Sequence, residues 1–277
     1  MTLRLSRLAA VASVVVLALG TTACSGSDDS SSAATSSTKG SSSAADTAGD
    51  ELTQATFFTA ITDAQSKAGT SHVALEIGSG GQKIEAEGDV EVGKTVADTA
   101  MSMTMDMGST GAGKIAMVIV DNTFYMNLGK MTGDKFAKID LDDDSNPIAK
   151  QFGSITDQLD PSRQLAQFKD AVTSFKKSGA AKKIDGVQAQ PYEIVLDTSK
   201  IKAFDELPAG AEANVPKTLT YTMFVDADNL LRRVEADVAG STVTATYSKW
   251  GEPVDVKAPA AGQLSDLDLS KMGASAS

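Results

Sequence analysis

Apolar positions along this chain first follow a helical period and then a period of two. The 3.6-residue spacing predicts a helix after residue 52, with Thr53 placed to cap it and Gly69 placed to end it. Its apolar positions are Phe57, Ile61, Ala64 and Ala68. From His72 onward apolar and polar residues alternate, and Gly80-Gly81 interrupts the alternation as a turn. The pattern predicts one amphipathic helix followed by antiparallel strands with short connections.

The segment 98–107 predicts a strand with one row of methionines. Met101, Met103, Met105 and Met107 occupy every second position, so their side chains point to one face. Burial of a methionine contributes about 1.5 to 3 kcal/mol, which makes this face the inner one. Because unbranched thioethers adapt to irregular partners, the row suits either a ligand of variable shape or a methionine-rich core.

The rest of the chain continues this alternation, with one helical interruption. Residues 114–120 predict a strand covered on both faces, and residues 124–128 and 136–139 predict two short strands. Two helices are predicted next: one carries Ile148, Phe152, Ile155 and Leu159, and one opens at Pro161 and carries Leu165, Phe168, Val172 and Phe175. Further strands are predicted at residues 181–184, 190–196, 217–225, 230–238 and 242–247. On residues 217–225, Leu219, Tyr221, Met223 and Val225 share a face.

The first residues have the features of an export leader. Arg4 and Arg7 precede an apolar run at residues 8–19, which is too short to cross a bilayer as a helix of roughly 20 residues. Small residues then precede Cys24, as in a bacterial lipoprotein signal, although Thr21 stands where leucine is usual. We therefore expect a signal peptide at residues 1–23 and a diacylglyceryl anchor on Cys24. Ordinary secretion with a free thiol is the alternative.

Composition separates a spacer from a folded region. Residues 25–50 contain little apolar surface, so residues 24–50 are expected to form the lipidated cysteine and a disordered Ser-rich linker. As a flexible coil, the linker would span roughly 25 to 30 Å. Residues 51–277 are predicted to form a single domain, with a frayed tail from about residue 259.

Charge and residue counts exclude several classes of function. The net charge is −11, and removal of Arg4 and Arg7 would make it −13. An acidic surface repels phosphate backbones and anionic headgroups, so no nucleic-acid partner is expected. Acylation of Cys24 would leave no thiol for a disulfide, a nucleophile or a zinc site, because it is the one cysteine. No cofactor is expected.

Two candidate chemical sites are weak. His72 is the one histidine and no G-x-S-x-G turn accompanies it, so we interpret it as a strand-edge residue rather than a catalytic base. Asp140, Asp142, Asp144 and Asn146 resemble half of a calcium loop, but Ser145 and Gln151 replace the turn glycine and the bidentate glutamate. The acidic run is better explained as the cap of the following helix, and no metal site is predicted.

Four features in order resemble the LppX/LprAFG family of actinobacterial lipoproteins. They are the lipidation leader with its Ser-rich spacer, Thr70-Ser71-His72, the pair of segments 124–128 and 137–140, and segment 226–234 followed by segment 247–254. The resemblance implies an α+β fold: a strongly curved antiparallel sheet, or half barrel, with helices packed over its concave face around an apolar cavity. It implies no catalytic residues.

This resemblance also implies a function. Such proteins bind acylated lipids or glycolipids and help to move them across the cell envelope, from an anchor on the outer face of the membrane. The cavity-facing candidates, nominated by face, are Met101, Met103, Met105, Met107, Leu219, Tyr221 and Met223.

Two other functions remain open at this point. A non-catalytic structural, interaction or sensor lipoprotein would use the same inner face simply as a filled core. An enzyme acting on envelope polymers would need paired carboxylates at a cleft, and the sequence singles out no such pair.

Overall fold

A computed structural model gives the fold of the chain. It describes residues 52–93, 98–107, 113–143, 149, 169–201, 215–238, 240–265 and 267. The leader, Cys24 and the Ser-rich segment lie outside these ranges. Within them, no helix combines the length and the apolar character needed to cross a membrane.

The first element is the predicted helix, with a shifted start. Helix α1 covers Phe57–Ala68 and ends at Gly69, whose φ of 75° is the left-handed conformation expected of a C-terminal glycine. The cap predicted at Thr53 is wrong, because the capping position is Thr56. Thr53 instead begins a turn ahead of the helix, in which the amide of Thr56 donates to the carbonyl of Thr53 at 3.1 Å. The hydroxyls of Thr53 and Thr56 also lie 3.1 Å apart.

In the ranges that the structure describes, twelve strands follow α1, and they confirm most of the predicted alternation. They are β1 (Thr70–Ser79), β2 (Gln82–Glu91), β3 (Ala100–Asp106), β4 (Lys114–Val120), β5 (Thr123–Asn127), β6 (Ala137–Asp140), β7 (Val172–Lys177), β8 (Lys182–Ile184), β9 (Val187–Asp197), β10 (Thr218–Asp226), β11 (Leu231–Val238) and β12 (Ser241–Ser248). The turn at Gly80-Gly81 is confirmed by φ values of 57° and 83°.

The strands form one curved antiparallel sheet that does not close. Their order is β6-β5-β4-β3-β2-β1-β12-β11-β10-β9-β7, with β8 paired to β9. The chain therefore builds one meander outward from β1 to the β6 edge, resumes at the β7 edge, and returns inward to β12. The first and last strands pair in the middle, where His72 lies opposite Ser248.

The second predicted helix is wrong at its C-terminal end. Val172 and Phe175 belong to edge strand β7, although their spacing fits a helix. The reason is a β-bulge between Val172 and Ser174, which lets Val172 lie opposite Leu196 while Phe175 lies opposite Ile194. Both side chains then share a face at a spacing of three residues. The first predicted helix lies outside the described residues except at Ala149.

The C-terminal segment is tied to the sheet edge further than predicted. Fraying from residue 259 is wrong for residues 259–265, because a 3-10 helix at Ala261–Gln263 precedes a parallel bridge between Phe136 and Leu264. The amide of Phe136 donates to the carbonyl of Gln263, and the amide of Ser265 donates to the carbonyl of Phe136, at 2.8 Å each. Leu267 then packs beside Phe124 and Ile139.

Candidate functional site

Pairing between strands places the apolar alternation on one side of the whole sheet, which we call the apolar face. Residues directly opposite each other in neighbouring antiparallel strands point to the same side. The apolar face therefore contains Leu75 of β1, Ala86 of β2, Met105 of β3, Ala245 of β12, Val234 of β11 and Met223 of β10. Helix α1 packs on the same side, because Phe57 and Ile61 share one cluster with Leu196 and Leu219.

The predicted site residues form two groups at the ends of continuous rows. One row runs Met223, Val234, Ala245, Leu75, Ala86, Met105, each opposite the next. The adjacent row runs Tyr221, Ala236, Val243, Ile77, Ile84. Met107 packs with the last three of these. Five strand spacings, about 24 Å measured along the sheet, separate β10 from β3. The two groups share a face but belong to different apolar clusters.

The methionine group on β3 is larger than the sequence analysis recognised. Met103 lies opposite Met117 of β4, and Met117 lies opposite Met126 of β5. Met101, Met103, Met105, Met107, Met117 and Met126 are all half-buried. This part of the apolar face therefore retains accessible surface. The turn that the sequence predicts at Asp121-Asn122 is confirmed: both residues have positive φ, and this two-residue turn fixes the register of β4 and β5.

By contrast, the β10 group is closely packed. Leu219 and Tyr221 are 1% and 4% exposed and belong to the core that includes Phe57 of α1. Phe57 packs its ring 5.0 Å from the rings of both Phe175 and Tyr192. Met223 is half-buried at the margin of this core. In this state, Leu219 and Tyr221 act as core residues.

Among the described residues of α1 and the apolar face, three polar atoms are buried without a hydrogen-bond partner. They are the amide nitrogen of Gln65 and the hydroxyls of Ser71 and Tyr221. Burial also raises the pKa of Tyr221 and of Tyr247, because the low-polarity surroundings disfavour the tyrosinate. Unpartnered buried donors are uncommon in native proteins, so each one requires a physical explanation.

The opposite side of the sheet carries a polar depression of about 510 Å³. Glu76 of β1, Glu85 of β2 and Asp106 of β3 are direct cross-strand neighbours there. Like charges in that arrangement are unfavourable. The ammonium of Lys83 lies 2.9 Å from a carboxylate oxygen of Glu76 and 2.8 Å from one of Glu85, which offsets the repulsion. The lining also includes Arg233, Lys114, Thr104, Thr244, Thr246 and Glu87, together with Ala74, Leu75 and Ala86.

The remaining candidates for chemistry have structural partners. His72 Nδ1 lies 2.8 Å from Asp89 Oδ1. Strand β1, which carries His72, lies in the interior of the sheet, so the prediction that His72 is a strand-edge residue is wrong. The amide of Asp142 donates to Asp140 Oδ1 at 3.0 Å. The other members of the acidic run lie outside the described residues, and so does the helix that it was predicted to cap, except at Ala149. Among the described residues, no three His, Cys, Asp or Glu side chains are placed to hold a metal ion.

Comparison with known proteins gives one consistent group of relatives. No family model matches the chain. Over 127 residues, or 46% of the chain, it is 28% identical to LppX of Mycobacterium bovis and of Mycobacterium tuberculosis, proteins named for phthiocerol dimycocerosate transport. The chain spans about half the length of these curated relatives, 52%.

A solved structure of LppX agrees with the sequence matches at the level of the fold. The crystal structure of the M. tuberculosis lipoprotein LppX aligns with a TM-score of 0.51 and 19% identity, over 74% of this chain and 98% of LppX. LprF of M. bovis aligns with a TM-score of 0.49 and 16% identity, over 73% and 96%. The similarity to LppX confirms the resemblance predicted from the sequence and the large, open antiparallel sheet.

Proposed function

This chain resembles the LppX/LprAFG lipoproteins in sequence and fold, and on that premise we propose that it is a membrane-anchored, lipid-binding lipoprotein. It holds acylated lipids or glycolipids against the apolar face and assists their transfer across the cell envelope. Cys24 carries the anchor, and the protein works on the outer face of the cell membrane. It has no catalytic role in this proposal.

The observation that carries the proposal is the unbroken apolar row from Met223 to Met105. Its length of about 24 Å exceeds the half-thickness of a bilayer core, which is about 15 Å, so one acyl chain of a membrane lipid fits along it. The β3 end offers half-buried methionines rather than closely packed branched side chains. Methionine side chains adapt to acyl chains of different shape.

The anchor and the linker give this face access to lipid. Two acyl chains on Cys24 would hold the protein stably, since each buried methylene contributes about 0.8 kcal/mol. A linker of residues 25–50 would let the domain, proposed as residues 51–277, reach the bilayer surface without leaving it. The bilayer can then supply or receive the lipid.

A second candidate function is a non-catalytic interaction or sensor lipoprotein. It is favoured by the close packing of Leu219 and Tyr221 beneath α1, which resembles an ordinary core. In that case the apolar face stabilises the fold and binds no lipid. The two functions differ in whether lipid accompanies the purified protein.

Native mass spectrometry with lipid extraction separates these functions. The full chain carrying Cys24→Ser, which cannot be acylated, is recovered from a lipid-rich actinobacterial host. We expect one bound lipid per chain, and its loss when Met103 and Met105 are both replaced by Asp. Thr104→Asp is the matched control, because Thr104 lies between them but is exposed on the polar side.

The outcomes are distinct. Lipid retained by Thr104→Asp and lost by the double variant supports a site on the apolar face. A parent chain that stays free of lipid even after incubation with envelope lipids supports the interaction lipoprotein instead. Circular dichroism of each variant separates the loss of lipid from the loss of the fold.

A further inference from the structure

The hydroxyl of Tyr221 is a hydrogen-bond donor that the described residues leave unused. The residue is 4% exposed, and its oxygen has no hydrogen-bond partner in the part of the chain that the structure describes. A buried polar group without a partner loses its hydrogen bonds to water and gains none in return, which destabilises the fold. Phenylalanine would fill the same space without this penalty. The hydroxyl therefore needs an explanation outside the packing of the free protein.

Its position connects it to the proposed lipid surface. Tyr221 lies opposite Ile194 and Ala236, and the row continues through Val243 and Ile77 toward Ile84. All the other members of this row are apolar. Tyr221 thus places one donor within an apolar track that runs toward Met107.

Building on the proposed lipid-binding function, we propose that Tyr221 recognises the ester carbonyl of a neutral acyl lipid. The phenol O–H donates to the carbonyl oxygen, and the acyl chain extends along the row toward β3. Tyr221 and α1 share one core. When the ligand enters, the side chains of this core that now cover the hydroxyl move aside.

The environment favours a neutral acceptor over a charged one. Tyr221 belongs to a cluster of buried apolar and aromatic side chains. A carboxylate placed there would lose its hydration and gain one donor, which is a large net cost. An ester carbonyl loses much less hydration on burial and regains its hydrogen bond from Tyr221. The site therefore selects acyl esters over free fatty acids.

Matched probes test the hydrogen bond. Methyl palmitate and heptadecane, both delivered from cyclodextrin, compete with a fluorescent lipid bound to the full chain carrying Cys24→Ser. Adding Tyr221→Phe is expected to weaken methyl palmitate binding about three- to tenfold, as loss of one hydrogen bond predicts, and to leave heptadecane binding unchanged. Tyr125→Phe is the control, since Tyr125 lies opposite Val118 on the other side of the sheet.

A second readout needs no ligand. Since Tyr221→Phe removes an unpartnered buried hydroxyl, the free variant should melt at the same temperature as its parent or higher. A lower melting temperature would show that the hydroxyl already has a partner, and would overturn the inference.

Failure of the inference and failure of the proposed function look different. If the parent chain binds both probes and Tyr221→Phe binds methyl palmitate equally well, Tyr221 is not the anchor but lipid binding stands. If the parent binds neither probe, the proposed lipid-binding function fails, and the inference fails with it.

Discussion

Met105 and Met223 lie in one row of apolar side chains that crosses six strands, although they belong to different halves of the chain. Met105 is on the outward meander from β1 to β6, and Met223 is on the returning meander from β7 to β12. The row exists because Leu75 of β1 lies opposite Ala245 of β12. Pairing of the first and last strands therefore makes one continuous face from two separate apolar patterns.

The close approach of β2 and β3 at Gly88 gives a first prediction. A β-carbon on Gly88 would lie 2.0 Å from the carbonyl oxygen of Ser102 and 2.8 Å from the Cα of Met103, both backbone atoms that cannot move aside cheaply. Gly88→Ala should lower the free energy of unfolding by about 1 to 3 kcal/mol and should speed amide exchange in β3. Gly78→Ala on β1 is the control, since nothing lies within 4 Å of that position.

Asp226 gives a second prediction, at the turn between β10 and β11. Its Oδ1 accepts from the amides of Asp228 and Leu230 at 2.9 Å each, and its Oδ2 accepts from Arg232 Nε at 2.6 Å. The carboxylate side chain is 2% exposed. Asp226→Ala should cost about 3 kcal/mol, because it leaves a partly buried guanidinium and two amides unpartnered.

The matched control for Asp226 is another aspartate with a nearby cation. Asp255 lies 2.7 Å from Lys257, but both side chains are largely exposed. Asp255→Ala should change the free energy of unfolding by less than about 0.5 kcal/mol. Urea unfolding followed by the fluorescence of Trp250, the one tryptophan, measures both variants. Equal effects at the two positions would contradict the role given to Asp226.

Buried tyrosines give a third prediction, on alkaline stability. Burial raises the pKa of Tyr221 above its ordinary value of 10.0, so the unfolded chain loses this phenolic proton at a lower pH than the folded chain. This titration leaves the free energy of unfolding unchanged well below pH 10 and lowers it as pH rises beyond that value, by up to about 1.4 kcal/mol per pH unit for each such tyrosine. Tyr221→Phe should flatten this decline.

The measurement is urea unfolding between pH 9 and pH 11.5, compared with absorbance titration of the tyrosinates. The slope of stability against pH should be smaller for Tyr221→Phe than for the parent chain. Tyr125→Phe provides the control, since Tyr125 is the tyrosine on the opposite side of the sheet. Identical slopes for the parent and Tyr221→Phe would contradict the raised pKa.

Local patterns predicted most of the strands well, because apolar and polar residues alternate along them. The positions of β10, β11 and β12 follow directly from apolar residues at every second position and the turns between them. The same rule failed at Val172 and Phe175, where a bulge converts the strand spacing into a helical one. A one-dimensional pattern does not distinguish the two cases, because the bulge depends on the partner strand β9.

The sequence predicted the face of the sheet on which the candidate site residues lie, but not how deeply each of them is buried. Alternation alone placed Met101, Met103 and Met105 together, and pairing through the Asp121-Asn122 turn adds Met117 and Met126. Sequence periodicity could not show that Leu219 and Tyr221 are packed in the α1 core while the methionines keep accessible surface. That difference arises from where α1 lies on the sheet, which is a long-range contact.

Photo-crosslinking tests most directly whether acyl chains lie on the apolar face. The full chain carrying Cys24→Ser is incubated with a methyl ester of a diazirine-bearing fatty acid, illuminated, digested and mapped by mass spectrometry. We predict adducts on β3 and β4, at Met101, Met103 and Met117. Adducts concentrated around Thr104 and Thr246 in the polar depression, or no adducts at all, would contradict the account.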